Sequence, residues 1–163
     1  MVRVGKQNWM CIEVIKAVEK KEFKKIINDC LLSNGFVKKG KFYYKDSDEV
    51  ICSLGLQKSN YSNCYYVNVG IVIKEINPNL ELPRDVDGDI RCRFYFEVDG
   101  NQIDCLPIDK LSESNVIASL EKNILELVDP SLEPEGIKKL LNDKPVLLYQ
   151  TKMVVKKHLG IEG

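Results

Sequence analysis

Histidine is nearly missing from this sequence: His158 is the only one among 163 residues. Most Ser-His and Cys-His nucleophile systems need an imidazole as the base. The single candidate sits in the basic run Lys156-Lys157-His158 just before Gly160. A cationic group there has a simpler use, offsetting the negative end of a helix dipole. Neither G-x-G-x-x-G nor a Walker-type G-x-x-x-x-G-K-[ST] occurs, so the two common phosphate-cradling loops are excluded. There is no C-x-x-C, and no cysteine lies at zinc-finger spacing from His158. The acidic cluster Asp85, Asp87 and Asp89 fails the EF-hand template: Gly88 falls at the fourth position instead of the sixth, and Phe96 stands where the bidentate Glu belongs. No catalytic residue, metal or cofactor is assigned from these patterns.

Long apolar runs are also missing. No stretch approaches the roughly 20 residues of a membrane-spanning helix, and the first residues show no apolar h-region before a small-residue cleavage site. A cytoplasmic protein with no membrane partner is the expectation. The six cysteines (Cys11, Cys30, Cys52, Cys64, Cys92 and Cys105) stand singly in apolar segments. Free cysteine in such places behaves as a small hydrophobe. A chain of this length needs no staples in a reducing compartment, so six reduced thiols are expected.

Net charge is zero, yet residues 1–80 carry 13 Lys+Arg against 8 Asp+Glu, and residues 81–163 carry 11 against 16. The basic residues of the first half include Lys20, Lys21, Lys24, Lys25, Lys38, Lys39 and Lys41. Phosphate backbones are bound by concentrated basic stripes. Here acidic residues interrupt the lysines, which favours a solvated helix face over a nucleic-acid partner.

What the sequence does contain is periodicity. From Trp9 to Asn34 the apolar residues recur at helical spacing, with Met10, Val14, Ala17 and Val18 on one face and Phe23, Ile26, Ile27, Cys30 and Leu31 following. Continuity of this helix near Glu19 is left open. Gly35 supplies a left-handed C-cap, and Phe36 folds back on the last turn. Strands are predicted over Lys41 to Lys45, Val50 to Lys58, Cys64 to Lys74 and Ile90 to Val98. Asp99-Gly100 then turns the chain into a further strand over Asn101 to Cys105. Ser112 is the predicted N-cap of a helix reaching about Val128, which Pro130 and Pro134 break. A short helix over Glu135 to Asn142 follows. The segment from Val146 to Gly160 reads as a last helix or, alternatively, begins as a strand. The order implies one α+β domain over residues 1–163: an N-terminal helix, an antiparallel meander of about four to five strands, and C-terminal helices packed on the sheet.

Strand parity makes the pattern at Leu56 to Ile71 informative. Val50, Cys52, Leu54 and Leu56 share one face, and Tyr65, Val67, Val69, Ile71 and Ile73 share another. Both sets meet the same core only if even positions pair with odd ones, which places Gln57 opposite Tyr66 and Gly55 opposite Asn68. The second face then holds Ser53, Gln57, Tyr66, Asn68 and Gly70. Its two glycines leave room for a ligand or another backbone. On the strand from Ile90 the same face carries Arg91, Arg93, Tyr95 and Glu97. Gln57, Tyr66, Asn68, Arg91, Arg93 and Tyr95 are therefore the candidate binding residues, a set of amide, phenol and guanidinium groups suited to a polar partner.

The segments NGFVKKGKFYY (Asn34 to Tyr44), LQKS (Leu56 to Ser59), YYVNVGI (Tyr65 to Ile71) and IRCRF (Ile90 to Phe94) together resemble a bacterial family catalogued as domain of unknown function 4304. The resemblance spans about residues 20 to 145. It implies a compact α+β domain of the bacterial cytoplasm with no established catalytic residues. It also implies a His after the strand cysteine, where this chain has Arg93. Some small bacterial domains of this kind sit beside toxin genes and resemble immunity proteins. The expectation is a non-enzymatic domain that binds another bacterial protein through the polar sheet face. The alternative is a small-molecule or nucleotide-processing enzyme with a pocket over that face.

Overall fold

The computed structural model of the protein describes residues 20–161. The expected helical faces around Met10, Val14, Ala17 and Val18, and the question of a break near Glu19, lie outside them. Helix α1 (Lys20–Ser33) buries Phe23, Ile27 and Leu31 completely. It ends as its sequence requires: Gly35 takes φ of +88°, Phe36 N–H donates to the Leu31 carbonyl, and the Phe36 ring is buried.

The main sheet is an antiparallel meander of β1 (Val37–Lys39), β2 (Phe42–Asp46), β3 (Val50–Lys58), β4 (Cys64–Ile73) and β5 (Ile90–Arg93), in that spatial order. A sixth short strand, β8 (Leu106–Pro107), returns to β4 opposite Cys64 and Tyr65. The register is the one parity demands: Gln57 faces Tyr66 and Gly55 faces Asn68. Beyond β4, Asn68 faces Arg93 and Gly70 faces Arg91. Val50, Cys52, Leu54, Val67, Val69, Ile71, Ile73 and Ile90 are all buried beneath α1 and α2 (Glu113–Asn123) in one core.

The predicted continuous strand from Ile90 to Val98 is in fact two. It stops after Arg93 and resumes as β6 (Phe96–Val98), which pairs only with β7 (Asn101–Ile103). Asn123 of α2 is the physical cause. Its side-chain carbonyl accepts from Tyr95 N–H at 2.9 Å, and its amide donates to the Tyr95 carbonyl at 2.8 Å. A helix side chain thus takes both backbone bonds that a neighbouring strand would have supplied. Asp99 and Gly100, with φ of +52° and +78°, make the expected two-residue turn of the β6–β7 hairpin.

Helix α2 starts where expected, with Ser112 Oγ accepting from Asn115 N–H. It does not stop before Pro130. A π-helical turn over Ile124–Val128 widens the backbone, and helical geometry continues through Asp129–Ser131. Proline clashes with the carbonyl one turn back in a regular helix, and the wider turn relieves that clash. Helix α3 spans Pro134–Asp143. The last stretch is neither one helix nor a strand. Pro145–Gln150 is 3-10, Thr151 makes a single bridge to Ile90, and a short α4 covers Met153–His158. Among the described residues, no helix is long and apolar enough to cross a membrane.

The expectation of six reduced thiols is corrected: Cys64 and Cys105 form a disulfide, with Cα atoms 5.7 Å apart. The return of β8 to the start of β4 brings the two together, a tertiary pairing that sequence spacing does not announce. Cys30, Cys52 and Cys92 are free, and Cys11 lies outside the described residues.

Candidate functional site

The two small positions of the second sheet face, Gly55 and Gly70, are used by the protein's own backbone. The turn Asp85–Asp87 lies on them. A Cβ at Gly70 would sit 2.5 Å from the Asp85 carbonyl oxygen, and one at Gly55 would sit 2.7 Å from the Asp85 carboxyl. This turn seals the end of the face that holds Ser53, which is fully buried. Asp89, just past the turn, is 1% exposed. Its carboxyl accepts from Ile73 N–H at 3.0 Å and Asn77 Nδ2 at 2.7 Å, with Lys152 Nζ at 3.6 Å. Of the three acidic residues in that cluster, Asp89 is therefore a structural tie between β4 and the C-terminal segment.

The rest of the face opens into a groove of about 470 Å³. Its floor carries Gln57, Asn68, Arg91 and Arg93, with Tyr95 at one side. Asp85 and Val86 form one wall, and Val146, Leu147, Tyr149 and Gln150 of the 3-10 segment form the other. Five of the six sequence-derived candidates thus line one concavity. Tyr66 is beside it, beneath Arg93, whose guanidinium carbon lies 4.0 Å from the Tyr66 ring centroid.

Arg93 is fixed from three sides. It donates from Nε to Asn68 Oδ1 at 3.0 Å and from Nη1 to Asp104 Oδ2 at 3.0 Å, while its plane rests on Tyr66. Asn68 in turn donates to Gln57 Oε1 at 2.9 Å. The Arg93–Asp104 pair is about two-fifths exposed on each side, so it contributes at most about 1 kcal/mol. Its value is in holding a planar donor array still. Arg91 differs: it is exposed, and among the described residues its side chain makes no hydrogen bond or ion pair. Cys92, between them, has a thiol pushed up to about 12, chiefly by burial. That shift keeps it protonated at neutral pH and disfavours nucleophilic use there.

The profile of the family described as "Domain of unknown function (DUF4304)" matches residues 27–134. The chain belongs to the DUF4304 family. No curated protein and no solved structure matches it. The DUF4304 match contains the whole groove floor and Asp104 but ends before Pro145–Gln150, so one wall comes from outside the shared region. Strand parity missed Asp85, Val86, Asp104, Val146 and Tyr149. Parity covers strand residues alone, and these five lie in 3-10 turns or a loop outside the strands.

Proposed function

We propose that this DUF4304 protein is a non-enzymatic binding domain that receives a segment of another protein in the groove, in the manner of an immunity protein. The observation that carries this reading is the composition of the rim. Val86, Tyr95, Val146 and Tyr149 are all solvent-exposed, Tyr149 at 87%, and they line the groove together with Arg91, whose side chain is unpaired among the described residues. Tyr and Arg on an apolar rim are the residue types that dominate binding energy at protein interfaces. The partner segment would carry a carboxylate for Arg91 beside apolar side chains for the tyrosines. A bacterial setting belongs to the same proposal, while the Cys64–Cys105 disulfide speaks against the reducing cytoplasm expected from the sequence.

The test is affinity capture from the native host, comparing wild type with Arg91→Ala and Tyr149→Ala, and using Tyr61→Ala as a control. Tyr61 is 97% exposed and does not line the groove. At least tenfold weaker recovery by the first two, with the control unchanged, is expected. Equal recovery by all four proteins rejects the site.

A second reading has its own support. The groove's volume of about 470 Å³ lies within the range of small-molecule pockets, about 300–1,000 Å³. A metabolite co-purifying with wild type but not with Arg91→Ala, together with failure to capture any protein, would favour that alternative.

A further inference from the structure

The groove continues past the ridge of Asp85 and Val86. Those residues, with Gln57 and Asn68, also line a second cavity of about 520 Å³, so the two concavities form one trough. Charge divides it. In the groove, Arg91 and Arg93 are balanced by Asp85 and Asp104. The second cavity is lined by Lys24 of α1, Lys38 of β1, Lys41 of the following turn and Lys58 at the end of β3. Asp85 is its one carboxyl. Among the described residues, none of these four lysines forms an ion pair. In a chain of zero net charge, such an uncompensated cluster steers an anionic partner to one place.

The second observation concerns the backbone. Pairing of β2 with β3 stops at Phe42, opposite Gly55, which leaves a notch beside Leu56 to Lys58. On the other side of β3, Ser59 N–H donates to the Cys64 carbonyl at 2.9 Å, and Lys58 stands opposite Tyr65. Backbone bonding alternates residue by residue in an antiparallel ladder. The N–H and carbonyl of Lys58 therefore turn away from β4, toward the place a longer β2 would fill. Among the described residues, no strand is there. An open sheet edge of this kind accepts an extended peptide. A phosphodiester backbone carries no donor for the Lys58 carbonyl, which favours a protein segment over a nucleic acid.

We propose that the partner segment is acidic and extended where it leaves the groove, adding as a short strand to the free edge of β3 at Lys58 and setting its carboxylates against Lys24, Lys38 and Lys41. This deepens the reading of the protein as a partner-binding domain and rests on it. Main-chain bonds at the edge supply affinity whatever the side chains, and the lysines select against basic segments.

Fluorescence anisotropy at low salt, with a short labelled peptide of alternating Glu and Val as the probe, tests it. That peptide should bind saturably and more weakly as salt is added, and the corresponding Lys/Val peptide should not bind. The double variant Lys38→Glu, Lys41→Glu should weaken binding at least tenfold with its urea midpoint unchanged, since both side chains are exposed. Methylating the peptide's backbone nitrogens should also weaken binding at least tenfold, because the donor to the Lys58 carbonyl is lost. Wild-type affinity in the double variant or for the methylated peptide overturns the proposal, as does absence of binding at millimolar concentration. Tighter binding of an oligothymidylate than of the Glu/Val peptide overturns it in favour of a nucleic acid. Capture from the native host separates this inference from the groove itself. Loss by Arg91→Ala with full recovery by the lysine variant keeps the groove and rejects the notch, and the reverse result keeps the notch and rejects the groove.

Discussion

Removing the Cys64–Cys105 disulfide should cost stability on a scale set by the loop it closes. The two residues are 41 apart in sequence. In the chain-entropy treatment such a crosslink stabilises the fold by about 4 kcal/mol, by restricting the unfolded chain. For a domain of this size that corresponds to a fall in midpoint on the order of 10 °C. The measurement is thermal and urea unfolding of wild type with and without a thiol reductant, beside the double variant Cys64→Ser, Cys105→Ser. The variant should match reduced wild type and ignore the reductant. Reduction should also loosen the groove, since Asp104 immediately precedes Cys105 and holds Arg93 at 3.0 Å. A wild-type midpoint unmoved by reductant, with thiol counting showing both cysteines reduced, would refute the reasoning.

Three further outcomes are expected. Asp89→Ala leaves Ile73 N–H and the Asn77 amide without their buried acceptor and should lower stability by about 2–4 kcal/mol, read as a lower urea midpoint; Asp89→Asn, which keeps one acceptor, should lose less. Gly70→Ala places a methyl group 2.5 Å from the Asp85 carbonyl, and the forced shift of that turn should cost about 1–3 kcal/mol in the same assay. Alkaline pH should destabilise the fold: the Cys30 thiol is raised to about 11, first by burial and then by Glu121, and the Cys92 thiol to about 12. The native state keeps protons that the unfolded chain has already released, so stability is complete below the unfolded thiol value near 8.5 and declines as pH rises toward 11–12. A flat urea midpoint between pH 8 and 10.5 would contradict those shifts.

Parity alone placed Gln57 against Tyr66, and Arg91 and Arg93 on the face of Asn68, because one wrong step in register would have exposed a whole row of valines and isoleucines. The caps at Gly35 and Ser112 and the Asp99-Gly100 turn were legible for a similar reason: each is local chemistry. Tertiary events were not. Nothing near Tyr95 tells that Asn123, 28 residues away, will replace its strand partner. The π turn before Pro130 shows that a proline rule states a clash, while the neighbouring backbone decides how the clash is relieved. The groove was legible only as a floor, since its wall from Pro145–Gln150 depends on how the C-terminal segment bridges Ile90 through Thr151.

The bond pair between Asn123 and Tyr95 has a mechanical consequence. It hangs the β6–β7 hairpin from helix α2 instead of from the sheet, so the hairpin should travel with the helix as a lever whose fulcrum is Phe94-Tyr95. Asp104 follows β7 at the base of the hairpin, close to that fulcrum because Ile103 faces Phe96, and grips Arg93. A displacement of α2 would then carry Tyr95 and the neighbouring Asp104 with it, and so shift the guanidinium in the groove floor.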